Sequence, residues 1–161
     1  MDTEQIPKVP VVPSLRFLYT SQVALEPPLD LGHSPYGVRK IINIKGGAFS
    51  GPRLSGRILT GGADWQIIRP DGVAVLEARY TLETGDGALI YVCNKGVRWG
   101  PKEVMERLAS NQPVDPSEYY FRTTPVFETG APGYEWLNGL VAVATGERRA
   151  EEVIITVYEV T

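Results

Sequence analysis

Residues 74–84, AVLEARYTLET, alternate between apolar side chains and charged or hydroxyl side chains. On an extended strand Ala74, Leu76, Ala78, Tyr80 and Leu82 share one face, and Glu77, Arg79, Thr81 and Glu83 share the other, because successive side chains leave a strand on opposite sides. A two-residue period of this kind runs through most of the chain, broken at short intervals by Gly, Pro, Asp and Asn. It predicts strands near 15–24, 37–45, 54–60, 64–69, 73–83, 88–96, 119–128, 136–145 and 152–160. Arg69-Pro70-Asp71-Gly72 and Thr84-Gly85-Asp86-Gly87 read as turns between antiparallel neighbours, each with a glycine where a positive φ is cheap.

Only GPKEVMERLASNQP has a helical period. Pro101 suits a first turn, Val104, Met105 and Leu108 form one apolar face, Glu103 precedes Arg107 by four, and Pro113 ends the segment, so a single helix is expected over 101–112. One such helix cannot cover a sheet of about eight strands. The sheet must bury its apolar faces on itself, as a sandwich or a closed antiparallel barrel. Residues 1–14 read as an extended N-terminal arm of one β domain spanning 1–161, and the proline-rich segment 26–37 reads as a loop.

Composition narrows the function classes. The chain has 161 residues and a formal net charge of −3, with no basic run to neutralise a phosphate backbone, so a nucleic-acid partner is not expected. The acidic, proline-broken start does not resemble a secretory signal, and no apolar stretch approaches the length of a membrane helix, so a cytoplasmic protein without a membrane partner is expected. One histidine and one cysteine exclude HExxH and zinc-finger ligand sets within the chain. Cys93 lies within an apolar strand and reads as a packed thiol, and His33 as a loop histidine beside Gly32. The glycine-rich GGAFSGPRLSG has no Gly-Lys-Ser/Thr and no helix after it, so it reads as a bend rather than a phosphate cradle.

Acids, arginines and aromatics on strands remain. The polar face of 74–84, with Arg79 and Thr81, faces either water or a barrel cavity. In YYFRTTPVFET, Tyr120, Arg122 and Thr124 alternate with Tyr119, Phe121 and Thr123, and Phe127 and Glu128 follow the break at Pro125. Tyr134, Trp136 and Asn138 recur on every second residue, which on a strand puts two aromatics and a carboxamide on one face. GGADWQ clears space before Asp64 and Trp65. Asp64 is either a turn cap or a pocket carboxyl, and without a bulge Asp64 and Trp65 cannot enter the same cavity.

The segments GGAFSGPRLSGRILTGGADWQ, ARYTLETGDGALIYVCNKGVR, YYFRTTPVFETGAPGYEWLN and a final GERR, in that order over about residues 14–161, resemble the DUF3237 family, also called UPF0311. The resemblance implies a closed antiparallel β-barrel of about eight strands, similar to allene oxide cyclase and dirigent barrels, with a ligand-sized interior. Some fungal relatives act in phenalenone-type polyketide biosynthesis as hydroalkoxylation cyclases. The resemblance therefore implies a cofactor-independent, metal-free cyclase acting on a hydrophobic, prenylated aromatic polyketide. Asp64 and Glu128 would be its acid and base, and Arg79 and Arg122 would hold a phenolate or enolate oxygen. Trp65, Thr81, Tyr120, Phe127, Tyr134, Trp136 and Asn138 would line the substrate. A structural ion pair of Arg79 with Glu77 or Asp64 competes with the catalytic reading. A non-catalytic small-molecule carrier is the alternative function, an oligomeric scaffold a third, and a homodimer a candidate assembly.

Overall fold

A computed structural model describes residues 11–161. Its strands are β1 (Leu15–Leu25), β2 (Leu29–Ser34), β3 (Gly37–Ser50), β4 (Ser55–Ile58), β5 (Ala63–Ile68), β6 (Ala74–Thr84), β7 (Leu89–Trp99), β8 (Tyr120–Glu128), β9 (Ala142–Arg148) and β10 (Glu152–Val160). One helix, α1 (Lys102–Ala109), lies between β7 and β8. The first ten residues of the expected arm lie outside the described residues.

Hydrogen bonding runs β1-β10-β9-β8-β7-β6, then through β4 and β5 to β3, and the pairing of β1 with β3 closes the ring. β4 pairs with the far half of β3 (Gly47–Ser50) and β5 with the near half (Val38–Asn43), and both pair with β6, so together they fill one position. β2 pairs only with the near half of β3, beyond the end of β1. Ten strands thus make a closed antiparallel barrel of eight positions, and closure leaves few exposed edges. No helix of the described residues is long and apolar enough to cross a membrane.

The apolar face of 74–84 turns inward, and Glu77, Arg79, Thr81 and Glu83 lie on the outer wall. The interior has two halves. Tyr19, Leu82, Ile90, Val92, Phe127 and Val157 pack the end nearest the β6–β7 turn, with Tyr19 edge-on to Phe49 and Phe127. The other end is hollow, and α1 lies across it, directing Met105 and Leu108 at the space below.

Four expectations change. β3, expected to end at 45 before a bend, runs on through 46–50 paired with β1, where Gly47 lets the backbones approach closely. Residues 29–34, expected as loop, form β2: an edge strand bonded on one side tolerates preceding prolines and the register slip at Gly32. The helix stops at Ala109, short of 112, where Asn111 takes a positive φ of 56° and its N–H returns to the Leu108 carbonyl. The strand expected over 136–145 is instead a 3-10 turn at Glu135–Gly139 followed by β9. Glu135 Oε2 accepts the Gly133 N–H at 2.7 Å, and Asn138 bonds both the N–H and the carbonyl of Thr129, each at 2.8 Å. These local bonds hold the segment in a turn.

Candidate functional site

The hollow half is a cavity of about 700 Å³, within the range that takes a drug-sized molecule. Its walls are mostly aliphatic, including Val23, Ile42, Ile44, Ile68, Leu76 and Ile155. Asp64, Arg98, Arg148, Tyr80, Asn94 and Thr123 add polar side chains to this apolar lining.

Asp64 arrives there through the glycines before it. Gly61 sits at φ +102°, and at Gly62 a Cβ would lie 2.5 Å from the Arg79 carbonyl oxygen and 2.6 Å from Tyr80 Cβ. Only glycine lets the chain turn this closely against β6 before β5 begins. Strand alternation then sends the Asp64 and Gln66 side chains inward and Trp65 outward. Asp64 Oδ1 accepts the Glu77 backbone N–H at 2.9 Å, and Oδ2 has a weak contact from Gln66 Nε2 at 3.4 Å. Burial away from water raises the Asp64 pKa, against the opposing pull of the Glu77 N–H, the Arg98 charge, the Gln66 amide and the Arg39 charge.

Arg98 is the stranger group. Among the described residues it makes no ion pair, its Nε is buried without a partner, and its guanidinium lies 5.5 Å from the centre of the Phe121 ring. Burial pulls its pKa down to about 10, with the Arg148 charge acting in the same direction and Asp64 opposing, so it is still a cation at neutral pH. Arg148 is anchored by its Nη1 on the carbonyls of Arg149, Ala150 and Glu152, and the Tyr119 hydroxyl accepts its backbone N–H at 2.9 Å. A cation buried in apolar walls without a counter-ion is costly unless an anion joins it.

Of the residues predicted for the site, Asp64 alone reaches the cavity. Trp65 is 39% exposed on the outer wall. Arg79 is also outside: it does pair with Glu77, at 2.7 Å, but on the exposed wall and not inside the barrel as the ion-pair reading expected, and Thr81 shares that face. Arg122 is exposed and packs over the Tyr120 ring at 5.2 Å, while Tyr120 itself stacks on Trp99. Glu128 is exposed at the outer end of β8. Phe127 points inward but into the packed half, beside Tyr19. Tyr134 and Trp136 sit at the closed end, the former donating to the Asp86 carboxylate and the latter under the Arg53 guanidinium at 3.5 Å. Asn138 is occupied by the Thr129 backbone. The reason is common to most of them: outward alternation on β5, β6 and β8, and a turn in place of the strand at 136–138.

The residues that were missed carried a signal. In LIYVCNKGVRW, Asn94 and Arg98 occupy the same parity as Ile90 and Val92. A carboxamide and an arginine in the apolar register of a strand mark a polar lining.

Fold and site together define a closed β-barrel whose half-filled interior holds a cavity with mostly aliphatic walls and a few polar side chains. A family model described as a protein of unknown function, DUF3237, matches residues 13–160, and the chain belongs to that family. It is 44% identical over 145 residues, 90% of this chain and 95% of the relative, to a UPF0311 protein of Rhodopseudomonas palustris. A crystal structure of a conserved protein of unknown function from that organism superposes with a TM-score of 0.90 at 42% identity, covering 95% of this chain and all of that one. A β-barrel-like protein from Acinetobacter baumannii gives a TM-score of 0.83 at 45% identity, over 96% of this chain and all of that one. At greater distance, the chain is 24% identical over 136 residues, 84% of this chain and 76% of the relative, to the hydroalkoxylation enzyme phnH of Penicillium herquei. An enzyme structure from the same fungus shares the fold, with a TM-score of 0.74 at 21% identity over 97% of this chain and all of that one.

Proposed function

We propose that the protein is a cofactor-independent cyclase that closes an oxygen ring on a prenylated aromatic molecule by intramolecular hydroalkoxylation. The observation that carries this reading is the presence, in one apolar cavity, of a carboxyl whose pKa burial raises and a guanidinium that makes no ion pair among the described residues. The distant likeness to phnH, named a hydroalkoxylation enzyme, supports the reaction class.

Asp64, protonated on the oxygen not held by Glu77, donates its proton to the less substituted carbon of the prenyl alkene. Positive charge develops at the more substituted carbon. The substrate hydroxyl attacks that carbon, the C–O bond closes the ring, and the hydroxyl proton passes to the Asp64 carboxylate, restoring the acid. Atoms balance as an isomerisation. Arg98 holds a second, anionic oxygen of the aromatic system, and the aliphatic walls exclude water that would otherwise capture the cation.

The test is incubation of the purified protein with 2-(1,1-dimethylallyl)phenol, whose closure to a dihydrofuran creates a stereocentre at the carbon that receives the oxygen, in D2O, followed by chiral chromatography and mass spectrometry. One enantiomer of the ring-closed ether, carrying deuterium at the protonated carbon and absent with Asp64→Asn, is expected. Racemic ether formed at the background rate would refute the reading. A non-catalytic carrier is the second reading, favoured by the unpartnered Arg98, whose need for an anion does not require turnover. A ligand that copurifies unchanged, and binds Asp64→Asn as well as wild type, would select it.

A further inference from the structure

Asn94 and Thr123 are each 4% exposed, and both line the cavity. Asn94 Oδ1 and Thr123 Oγ1 make no hydrogen bond among the described residues. Their interior neighbours along the strands are Val92 on β7 and Phe121 on β8. An unpartnered buried polar atom costs about 1–3 kcal/mol, so two in one wall call for an occupant.

The register brings the two together. Gly96 pairs with Thr123 and Asn94 with Pro125, which makes Asn94 and Thr123 diagonal neighbours on the inner face. Gly96 adds no side chain between them, and a Cβ there would lie 2.7 Å from Thr123 Cγ2, so the threonine leans over the glycine. The Tyr80 hydroxyl lies against the Asn94 carboxamide from the β6 side, with Tyr19 behind it. The Asn94 amide nitrogen faces Tyr80, and Oδ1 is the atom left over.

We infer that Asn94 and Thr123, beside Tyr80, form a second subsite on the floor of the cavity for a neutral hydroxyl of the ligand. A hydroxyl can donate to the carboxamide oxygen and accept from the threonine, whereas a carboxylate would meet the carboxamide oxygen acceptor to acceptor. Arg98 shares this face four residues further along β7, about 13 Å of strand away. The ligand is therefore an elongated, mostly apolar molecule with an anionic oxygen near Arg98 and a hydroxyl at the opposite end. This inference rests on the cavity being a ligand site and not on any turnover, so ring closure and floor recognition can fail independently.

A matched pair of acids tests it with the full chain: biphenyl-4-carboxylate and 4′-hydroxybiphenyl-4-carboxylate, titrated calorimetrically. The hydroxylated acid is expected to bind wild type about tenfold more tightly. Thr123→Val, which keeps the side-chain shape, is expected to reduce that preference to about twofold or less without weakening binding of the parent acid. Asn94→Leu, checked for folding by circular dichroism, is expected to do the same. Equal or weaker binding of the hydroxylated acid, an undiminished preference in Thr123→Val, or no binding of either acid at millimolar concentration would each overturn it.

Discussion

Asp64 takes the place of a sheet rung: its Oδ1 accepts the Glu77 backbone N–H at 2.9 Å where the β5–β6 ladder has no pairing for Trp65 and Gln66. A side chain that substitutes for backbone pairing is held as firmly as the sheet itself. The carboxyl is thereby fixed at the cavity wall with one oxygen committed and the other held only by a weak contact from Gln66.

That geometry sets a pH dependence. Because burial raises the folded pKa of Asp64 above its ordinary value of 3.8, the native state holds more protons than the unfolded state between the two values. Stability from this group falls as pH rises through that window and is level above it. Asp64→Asn keeps an acceptor for the Glu77 N–H and removes a carboxyl that folding at pH 7 must either desolvate or protonate. The variant should therefore be more stable than wild type at pH 7, with an advantage that shrinks as pH falls toward 4, as read from thermal melts across pH. An advantage that grows on acidification would contradict the assignment, and ring closure should be lost in the variant at every pH.

Arg98 predicts a trade between stability and binding. Arg98→Met removes a buried cation without a counter-ion and should stabilise the fold by about 1–3 kcal/mol in urea denaturation. The same variant should bind biphenyl-4-carboxylate at least about thirtyfold more weakly. Loss of stability together with unchanged binding would remove Arg98 from the site.

The outer wall should be silent. Arg79, Arg122 and Glu128 point away from the cavity, so Arg79→Ala, Arg122→Ala and Glu128→Gln should leave ligand affinity and ring closure within about twofold of wild type. The exposed Arg79–Glu77 pair should contribute about 0–1 kcal/mol to stability. A hundredfold loss of activity in any of the three would place the chemistry on the outer surface.

The two glycines ahead of Asp64 should differ. Gly61→Ala meets open space but a positive φ of +102°, at a cost of about 1–3 kcal/mol. Gly62→Ala forces a Cβ to within 2.5 Å of the Arg79 carbonyl oxygen, and should cost more, about 4 kcal/mol, because β5 must separate from β6. Urea midpoints for the two variants check the order.

Alternation by itself determined the β class, most strand positions, both faces of 74–84 and the turns at 69–72 and 84–87, where Gly72 and Gly87 do adopt positive φ of 85° and 87°. It also put Asp64 and Trp65 on opposite faces. The tertiary structure decided which face is the inside. It also decided where along each inner face packing ends and the cavity begins. Ile90, Val92, Asn94 and Arg98 share one face of β7, yet the first two are sealed in core while the last two line the cavity. Polarity sets Asn94 and Arg98 apart, but nothing local says that the space opposite Ile90 and Val92 is filled: its occupants are Tyr19 on β1, Phe127 on β8 and Val157 on β10, brought there only by closure. The same closure gathers Asp64, Arg98 and Arg148 from three strands around one cavity. At 134–138 a period of two coincides with a turn built on local hydrogen bonds to Gly133 and Thr129, because the period records spacing along the chain, and only pairing with a neighbour makes that spacing a strand.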